Sequence, residues 1–294
     1  MKKALFGLSL FLIPLVSAEE ECGLLNLSAC IPQKLYDFFI NILNSPIQPL
    51  LTLTKALMTE PIKLEAFVSL WAIILYVLSI FYGLLMFYSG FNFMISGYDV
   101  VKRTKAKEYF RNIFIMIVLV QASYFIYSAV IDVNSLLTAG VVSLVDQKFF
   151  LITADNIVNI GLQFFFAFLY VITLILTVIM LTFRYIIVAA GVVFVPIGIF
   201  LYFIPPVNNY GKLILNFLGT CIFITFFDSL ILLVCSKLID IPVFQNFKIL
   251  VMITAFAILN FIMFYFIIFS ALKSAVKTGE KTAGIALAVG KYFI

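Results

Sequence analysis

The chain has 294 residues, of which 64% are hydrophobic and 11% are charged, whereas soluble domains are roughly half apolar and one-quarter charged. So few charges cannot cover a globular surface, and the composition therefore excludes a soluble enzyme and predicts several membrane spans of about 20 residues each. A net charge of +5 is too small to indicate a nucleic-acid-binding protein, and the absence of histidine argues against an ordinary His/Cys zinc site and excludes a histidine general base.

The N-terminal residues follow the order of a secretory signal peptide. Two lysines precede an apolar stretch over residues 4–16, and Val16-Ser17-Ala18 is a small-residue cleavage site before three glutamates. We therefore predict a signal peptide over residues 1–18, with the mature N terminus outside the cytoplasm. The alternative is an uncleaved first anchor, against which Pro14 and the short apolar stretch argue.

Residues 19–66 are expected to form an extracytoplasmic and interfacial N-terminal region. Cys22 and Cys30 lie close enough in sequence to close a small loop, and an oxidising compartment favours a disulfide between them. The alternatives are two free thiols or a lipid anchor on Cys22.

The second part of that region alternates large apolar residues with asparagine and glutamine over residues 35–58. Because Pro46 and Pro49 are expected to break a continuous span, we predict an amphipathic segment that lies on the outer leaflet rather than one that crosses.

The transmembrane domain is predicted over residues 67–272, and its first span over residues 67–95, with Trp71 near the start where an interfacial aromatic belt would lie. A basic segment (residues 102–111) follows and is predicted to be a cytoplasmic loop by the positive-inside rule. The chain should then return as a second span over residues 112–131 and continue as an outer loop to residue 156. The basic side chains of this segment are Lys102, Arg103, Lys105, Lys107 and Arg111.

A third span is predicted over residues 157–183, with Arg184 marking its inner end. The apolar stretch that follows, residues 185–204, contains two glycines and Pro196 and runs into two further prolines. It is either another span or a re-entrant hairpin, and irregular backbone at membrane depth is tolerated only where protein or a water-filled cavity covers it.

Two further spans are predicted over residues 213–236 and 249–272, before a basic tail over residues 273–294. If residues 185–204 cross, six spans leave this basic tail outside the cell, against the positive-inside rule. If they turn back, five spans place the tail in the cytoplasm. We therefore favour an all-α bundle with five spans and one re-entrant segment over the six-span alternative.

Asp228 lies near the middle of a predicted span, where a carboxylate is costly and suggests a functional site. Thr225 and Cys221 share its helical face. Asp228 is either a protonatable or cation-contacting group that faces a cavity, or an acid that holds helices together through hydrogen bonds. Arg184 is a candidate partner, although its predicted depth argues against direct pairing. The two cysteines of this span, Cys221 and Cys235, are interpreted as small buried residues rather than ligands.

Other polar residues within the spans are explained equally well by pore lining and by hydrogen bonds between helices. For the basic segment we favour a role as a topology determinant over contact with nucleic acid, anionic lipid or a cytoplasmic ATPase. The candidate pore residues are Pro196 and the polar residues Arg184, Asp228, Gln121 and Gln163, and the further polar positions are Ser123, Asn216 and Asn260.

One stretch carries a family resemblance. Residues 83–99 form a glycine-marked helix end that closes on an aspartate, and the basic segment and a second apolar stretch over residues 113–131 follow. This order resembles the hairpin of conjugative pilin subunits and of larger TrbL-type proteins. Together with the N-terminal region, Arg184 and the later prolines, it resembles the TrbL family of conjugal-transfer proteins over residues 60–275.

The resemblance implies a polytopic inner-membrane channel or scaffold subunit of a type IV secretion system, assembled as a homo-oligomer in the lipid bilayer. It also implies other secretion-system subunits as partners, including a cytoplasmic ATPase and pilin-like proteins, with DNA or protein as a cargo that leaves the cell or, in archaeal relatives, enters it. The chain contains no Walker-type Gly-x-x-x-x-Gly-Lys-Ser/Thr sequence, so energy would come from partners. It departs from a full-length secretion component in lacking a large soluble domain, which leaves its contacts open.

Two other classes of function suit a chain with several apolar spans. A secondary transporter would use Asp228 and the broken segment for ion or proton coupling, but the inverted repeats of many carriers are not visible here. An enzyme acting in the membrane would need paired aspartates, a His-Glu-x-x-His sequence or a serine with a base, and the spans contain none of these. We therefore expect no enzymatic activity, no cofactor and no metal.

Overall fold

A computed structural model describes residues 27–152, 160–245 and 247–269 of the chain. The chain divides into two units, residues 1–42 and residues 43–294. The predicted signal peptide, Cys22 and the basic tail lie outside the described residues, as do the side chains of Cys30 and Gln163.

Most of the described residues are helical, with no strand among them, which confirms the predicted all-α class. Short 3₁₀ segments lie at Glu65–Phe67, Ser96–Tyr98, Gln147–Phe150 and Pro205–Val207, and a π-helical turn lies at Tyr265–Phe269. The α-helices of this part are α1 (Leu27–Thr59), α2 (Val68–Ile95), α3 (Val100–Gln121), α4 (Ser123–Ser143), α5 (Ile160–Phe203), α6 (Asn208–Leu238), α7 (Pro242–Gln245) and α8 (Lys248–Phe264).

Five helical segments of the described chain are long and apolar enough to cross a membrane, which confirms a multi-pass membrane protein. α1 is not one of them, although it has 33 residues. The five candidate spans are Glu65–Ile95, Ser123–Ser143, Phe165–Phe203, Pro205–Leu238 and Lys248–Ile267.

The prediction of a second span over residues 112–131, between two loops, is wrong in its boundaries. The basic segment is not a loop but the first part of α3, where the Asp99 carboxylate accepts hydrogen bonds from the backbone N–H groups of Val101 and Lys102 and so caps the helix. The predicted outer loop from residue 132 is helical as far as Ser143. Charged side chains on exposed helix faces do not interrupt a helix, and for this reason the charge pattern placed the loops wrongly.

The predicted re-entrant hairpin over residues 185–204 is also wrong, because α5 (Ile160–Phe203) continues without a break from the third predicted span into this stretch. Pro196 lies inside the helix, where it removes only one backbone hydrogen bond. Gly191 serves close packing instead of a turn: a Cβ there would lie 2.1 Å from the hydroxyl oxygen of Tyr127 on α4.

The expected break at Pro46 and Pro49 is absent as well, since α1 is continuous through both residues. One face of its second half is buried and includes Ile47, Thr54 and Met58. This spacing of seven and four residues is that of an amphipathic helix, as predicted.

Contacts between side chains fix the direction in which the helices run. α5 and α6 are antiparallel: Gly198 on α5 lies near Ile214 on α6, whereas Arg184, earlier on α5, contacts the later carbonyl of Cys221. α4 runs parallel to α6. α8 runs parallel to α5, because Asn260 and Phe256 contact Thr173 and Tyr170 in the same order.

The buried apolar residues form two cores along the α5–α6 pair. The α8 core contains α8, the first half of α5, the second half of α6 and the buried face of α1. The α2 core contains residues of α2, α3 and α4, with the second half of α5 and the first half of α6. The two cores meet on α5 between Leu181, which belongs to the α8 core, and Val188, which belongs to the α2 core.

α5 packs against α2, α3, α4, α6 and α8. The side chains that it directs inward are fully buried, as Leu174, Leu181 and Val188 illustrate with 0% exposure. Among the described residues, the surroundings of α5 therefore form a packed core.

Candidate functional site

The boundary between the two cores holds a group of buried polar side chains, named here the polar cluster: Asn134, Thr138, Arg184, Thr225 and Asp228. α4 supplies two of them, α5 supplies one and α6 supplies two. Buried polar groups in a helical membrane bundle are costly unless they are partnered, so the hydrogen bonds of this cluster decide what it can do.

Asp228 is fully buried on α6, and neither of its carboxylate oxygens has a hydrogen-bond partner among the described residues. Thr225 and Cys221, predicted on the same helical face, are also fully buried. The sequence therefore located an acidic group inside the bundle correctly, and the geometry adds that its oxygens are unsatisfied.

Arg184 is 3% exposed and faces α6, so its predicted place at the inner end of a span is wrong. Its Nε donates to the carbonyl oxygen of Cys221 at 2.9 Å, and its Nη2 donates to that of Ile222 at 3.0 Å. Arg184 and Asp228 lie close enough for an electrostatic interaction, although no hydrogen bond joins them. Arg184 contacts α6 nearly two turns before Asp228, because its hydrogen bonds go to the carbonyl oxygens of Cys221 and Ile222.

α4 contributes two residues that the sequence did not single out. The Asn134 side-chain N–H donates to the Thr225 hydroxyl at 3.1 Å. The side-chain oxygen of Asn134 (Oδ1) and the Thr138 hydroxyl have no hydrogen-bond partner among the described residues.

The level of Thr138 follows from the register between α4 and α6. Tyr127 and Leu218 both lie within 3.0 Å of a Cβ built at Gly191, and Asn134 contacts Thr225 seven residues further along both helices. One more turn along these parallel helices brings Thr138 to the level of Asp228. Oxygen atoms from α4 and α6 without hydrogen-bond partners among the described residues therefore lie together at the boundary between the cores, near Arg184.

Sequence reasoning missed Asn134 and Thr138 because they fell within the predicted outer loop. A usable signal was present: Tyr127, Ile131, Asn134 and Thr138 recur at helical spacing, and all four are buried. The nearby Asp132, which is exposed, suggests a loop and so obscures that spacing.

The remaining predicted residues lie apart from the cluster. Gln121 is exposed at the end of α3, and Pro196 is buried inside α5. Cys221 and Cys235 are buried free thiols, in agreement with their interpretation as small buried residues. No group of three or more His, Cys, Asp or Glu side chains suited to a metal occurs in the described part of the chain.

The basic segment forms a second charged feature, at the start of α3. Its side chains Lys102, Arg103, Lys105, Lys107 and Arg111 are all exposed. Lys102 pairs with Asp99 at 3.8 Å, and the Arg103 guanidinium lies 5.9 Å from the centroid of the Phe93 ring on α2.

Comparison of the chain with family models, with curated proteins and with solved structures finds no match.

Proposed function

We propose that this chain is a membrane-embedded scaffold and channel subunit of a type IV secretion-like apparatus for conjugation or DNA transfer, working as an oligomer with other subunits. The order of features that resembles the TrbL family supports the class of apparatus. The observation that carries the subunit role is the length of apolar surface along α5.

Exposed large apolar side chains extend along α5 from Phe165 to Tyr202, a distance of about 56 Å along the helix axis. The hydrocarbon core of a bilayer is about 30 Å thick, and a helix tilted by about 40°, the upper end of the usual range, fits about 39 Å of its length inside it. Part of this apolar surface therefore extends beyond the hydrocarbon, where another protein would have to cover it.

Asp132 supports the same conclusion from α4. This acidic residue is exposed on a candidate span, where it accepts a hydrogen bond from the Ser128 hydroxyl at 3.4 Å. An acidic side chain that faces lipid is unfavourable, whereas one that faces a polar group of a second protein is not. Because the surroundings of α5 are packed, any conduit would form between subunits.

The distribution of charge supports an orientation with the basic segment in the cytoplasm. α6 runs parallel to α4 and so begins, with Lys212, on the same side as the basic segment. The odd number of candidate spans would place the tail after α8 on that side of the membrane too. By the positive-inside rule this end would be cytoplasmic, with the mature N terminus on the other side of the cell membrane. A cytoplasmic ATPase and pilin-like subunits are the partners we expect.

The subunit role is tested by site-specific photo-crosslinking in the native host membrane. A photoreactive phenylalanine derivative replaces Phe165 or Tyr202, and a buried position, Leu174, serves as the control. We expect cross-links to protein, either to a second copy or to an ATPase or pilin-like subunit, from the exposed positions only. A stably monomeric protein that cross-links to lipid alone would contradict the proposal.

Asp228 favours a second candidate function, ion- or proton-coupled transport. Its two unpartnered oxygens, with those of Asn134 and Thr138, would be available to a proton or a small cation. Flux through proteoliposomes that is lost with Asp228→Asn and kept with Asp240→Asn would support transport. Asp240 is a suitable control because it is exposed just beyond α6. Equal flux in both variants would contradict this role for Asp228.

A further inference from the structure

A groove of about 630 Å³ lies between the end of α2 and the first turns of α3. Gly90 and Phe93 line it from α2, and Arg103, Lys107 and Phe110 line it from α3. The three α3 residues are spaced by four and three positions and so share one helical face. The groove is therefore apolar along its walls and basic along one face.

The two basic side chains of the groove are not neutralised by the protein. Asp99 is occupied by the cap of α3 and by Lys102, and neither Arg103 nor Lys107 pairs with an acidic side chain among the described residues. Arg103 instead lies over the Phe93 ring, which holds its guanidinium at the groove. Two uncompensated cations beside apolar walls favour a ligand that is both anionic and apolar.

The groove lies at the end of the candidate span Glu65–Ile95. In the same stretch Phe87 is 77% exposed and Met94 is 73% exposed, and both would contact acyl chains in a bilayer. The basic side chains of α3 run beside this apolar end, at the depth where lysine and arginine reach lipid phosphates. Nucleic acid would match the charge of α3 but not the apolar walls.

We propose that this groove binds one anionic phospholipid, with the phosphate at Arg103 and Lys107 and the first part of an acyl chain between Phe93 and Phe110. The volume of the groove is within the usual range for small-molecule sites. The role is separate from the proposed secretion function, because it depends only on the groove and on the bilayer.

The test measures lipid retention by native mass spectrometry of the purified full chain, reconstituted in phosphatidylcholine with and without phosphatidylglycerol. Two variants of equal charge are compared: Arg103→Gln with Lys107→Gln, inside the groove, and Lys102→Gln with Lys105→Gln, on the same helix outside it. We expect the first double variant to weaken phosphatidylglycerol binding about 30-fold, the effect expected from the loss of two basic side chains at an anionic membrane surface. The second should stay within about twofold of the unmodified chain if the groove, rather than the general charge, binds the lipid.

A second pair of variants changes the space and keeps every charge. A Cβ at Gly90 or at Gly83 meets no atom within 4 Å, so both positions accept a larger residue without a clash. Gly90→Leu should fill the groove and reduce retention of phosphatidylglycerol, whereas Gly83→Leu, elsewhere on α2, should not. Equal losses in the two charge variants, or no loss with Gly90→Leu, would overturn the proposal. Equal competition by soluble glycerophosphate, or groove-dependent binding of a DNA oligonucleotide in place of lipid, would overturn it too.

Discussion

The two cores differ in how much of each helix the protein itself covers. In the α8 core, a helix of 17 residues contributes Met252, Phe256, Leu259 and Met263, each with 0% exposure. In the α2 core, α2 has 28 residues but buries only three of them. The two helices are similarly apolar, so hydropathy does not distinguish a helix covered by protein from one covered by lipid or a partner. We infer that the α8 core holds the fold together and that α2 serves contact with the surroundings.

The largest effect is expected where the backbones of α5 and α6 are in contact, in the α2 core. A Cβ at Gly211 would lie 2.2 Å from the backbone nitrogen of Tyr202, so Gly211→Val should force α5 and α6 apart and prevent folding. Gly219→Val on the same helix meets no atom within 4 Å and is the control. Size-exclusion profiles of detergent-solubilised protein measure the outcome, and a monodisperse Gly211→Val variant would contradict the close approach of the helices.

The next prediction separates the two cores directly. Phe256→Ala removes a fully buried ring from the α8 core and should lower the free energy of unfolding by about 4 kcal/mol. Phe87→Ala, at a position 77% exposed on α2, should change it by less than about 0.5 kcal/mol. Unfolding titrations with sodium dodecyl sulfate provide the measurement, and equal losses would remove the distinction between the cores.

The boundary between the cores should respond in a non-additive way. Arg184→Leu leaves the buried Asp228 without its nearby positive charge and should lower the free energy of unfolding by about 3 kcal/mol. The double variant Arg184→Leu with Asp228→Leu should recover most of that loss. The same unfolding titration measures both variants. If the double variant loses the sum of the two single effects, the charges do not act as a pair.

The smallest effect concerns the contact from α4. Asn134→Leu removes the hydrogen bond to Thr225 and should lower the free energy of unfolding by about 1 kcal/mol. Asn216→Leu, at an exposed position on α6, is the control and should be neutral. A loss from the Asn216 variant as large as that from the Asn134 variant would show that the boundary contact has no special role.

The class of fold and the acidic residue within the bundle were predictable from the sequence, because they depend on composition and on a single charge in an apolar run. The continuity of α5 was not predictable in this way. Gly191 and Pro196 suggest a break when they are read locally, whereas the use of Gly191 as space for Tyr127 depends on a contact between distant parts of the chain. The predicted bounds of α4 were wrong for a related reason, since Asp132 suggested a loop although its buried neighbours follow a helical spacing.

The unbroken α5 has a mechanical consequence. Because one rod of about 66 Å passes through both cores, neither core can rotate without moving the other, and the proline at position 196 is the weakest point at which the rod could bend. A displacement of α2 and α3 at one end of α5 would therefore also move α8 at its other end.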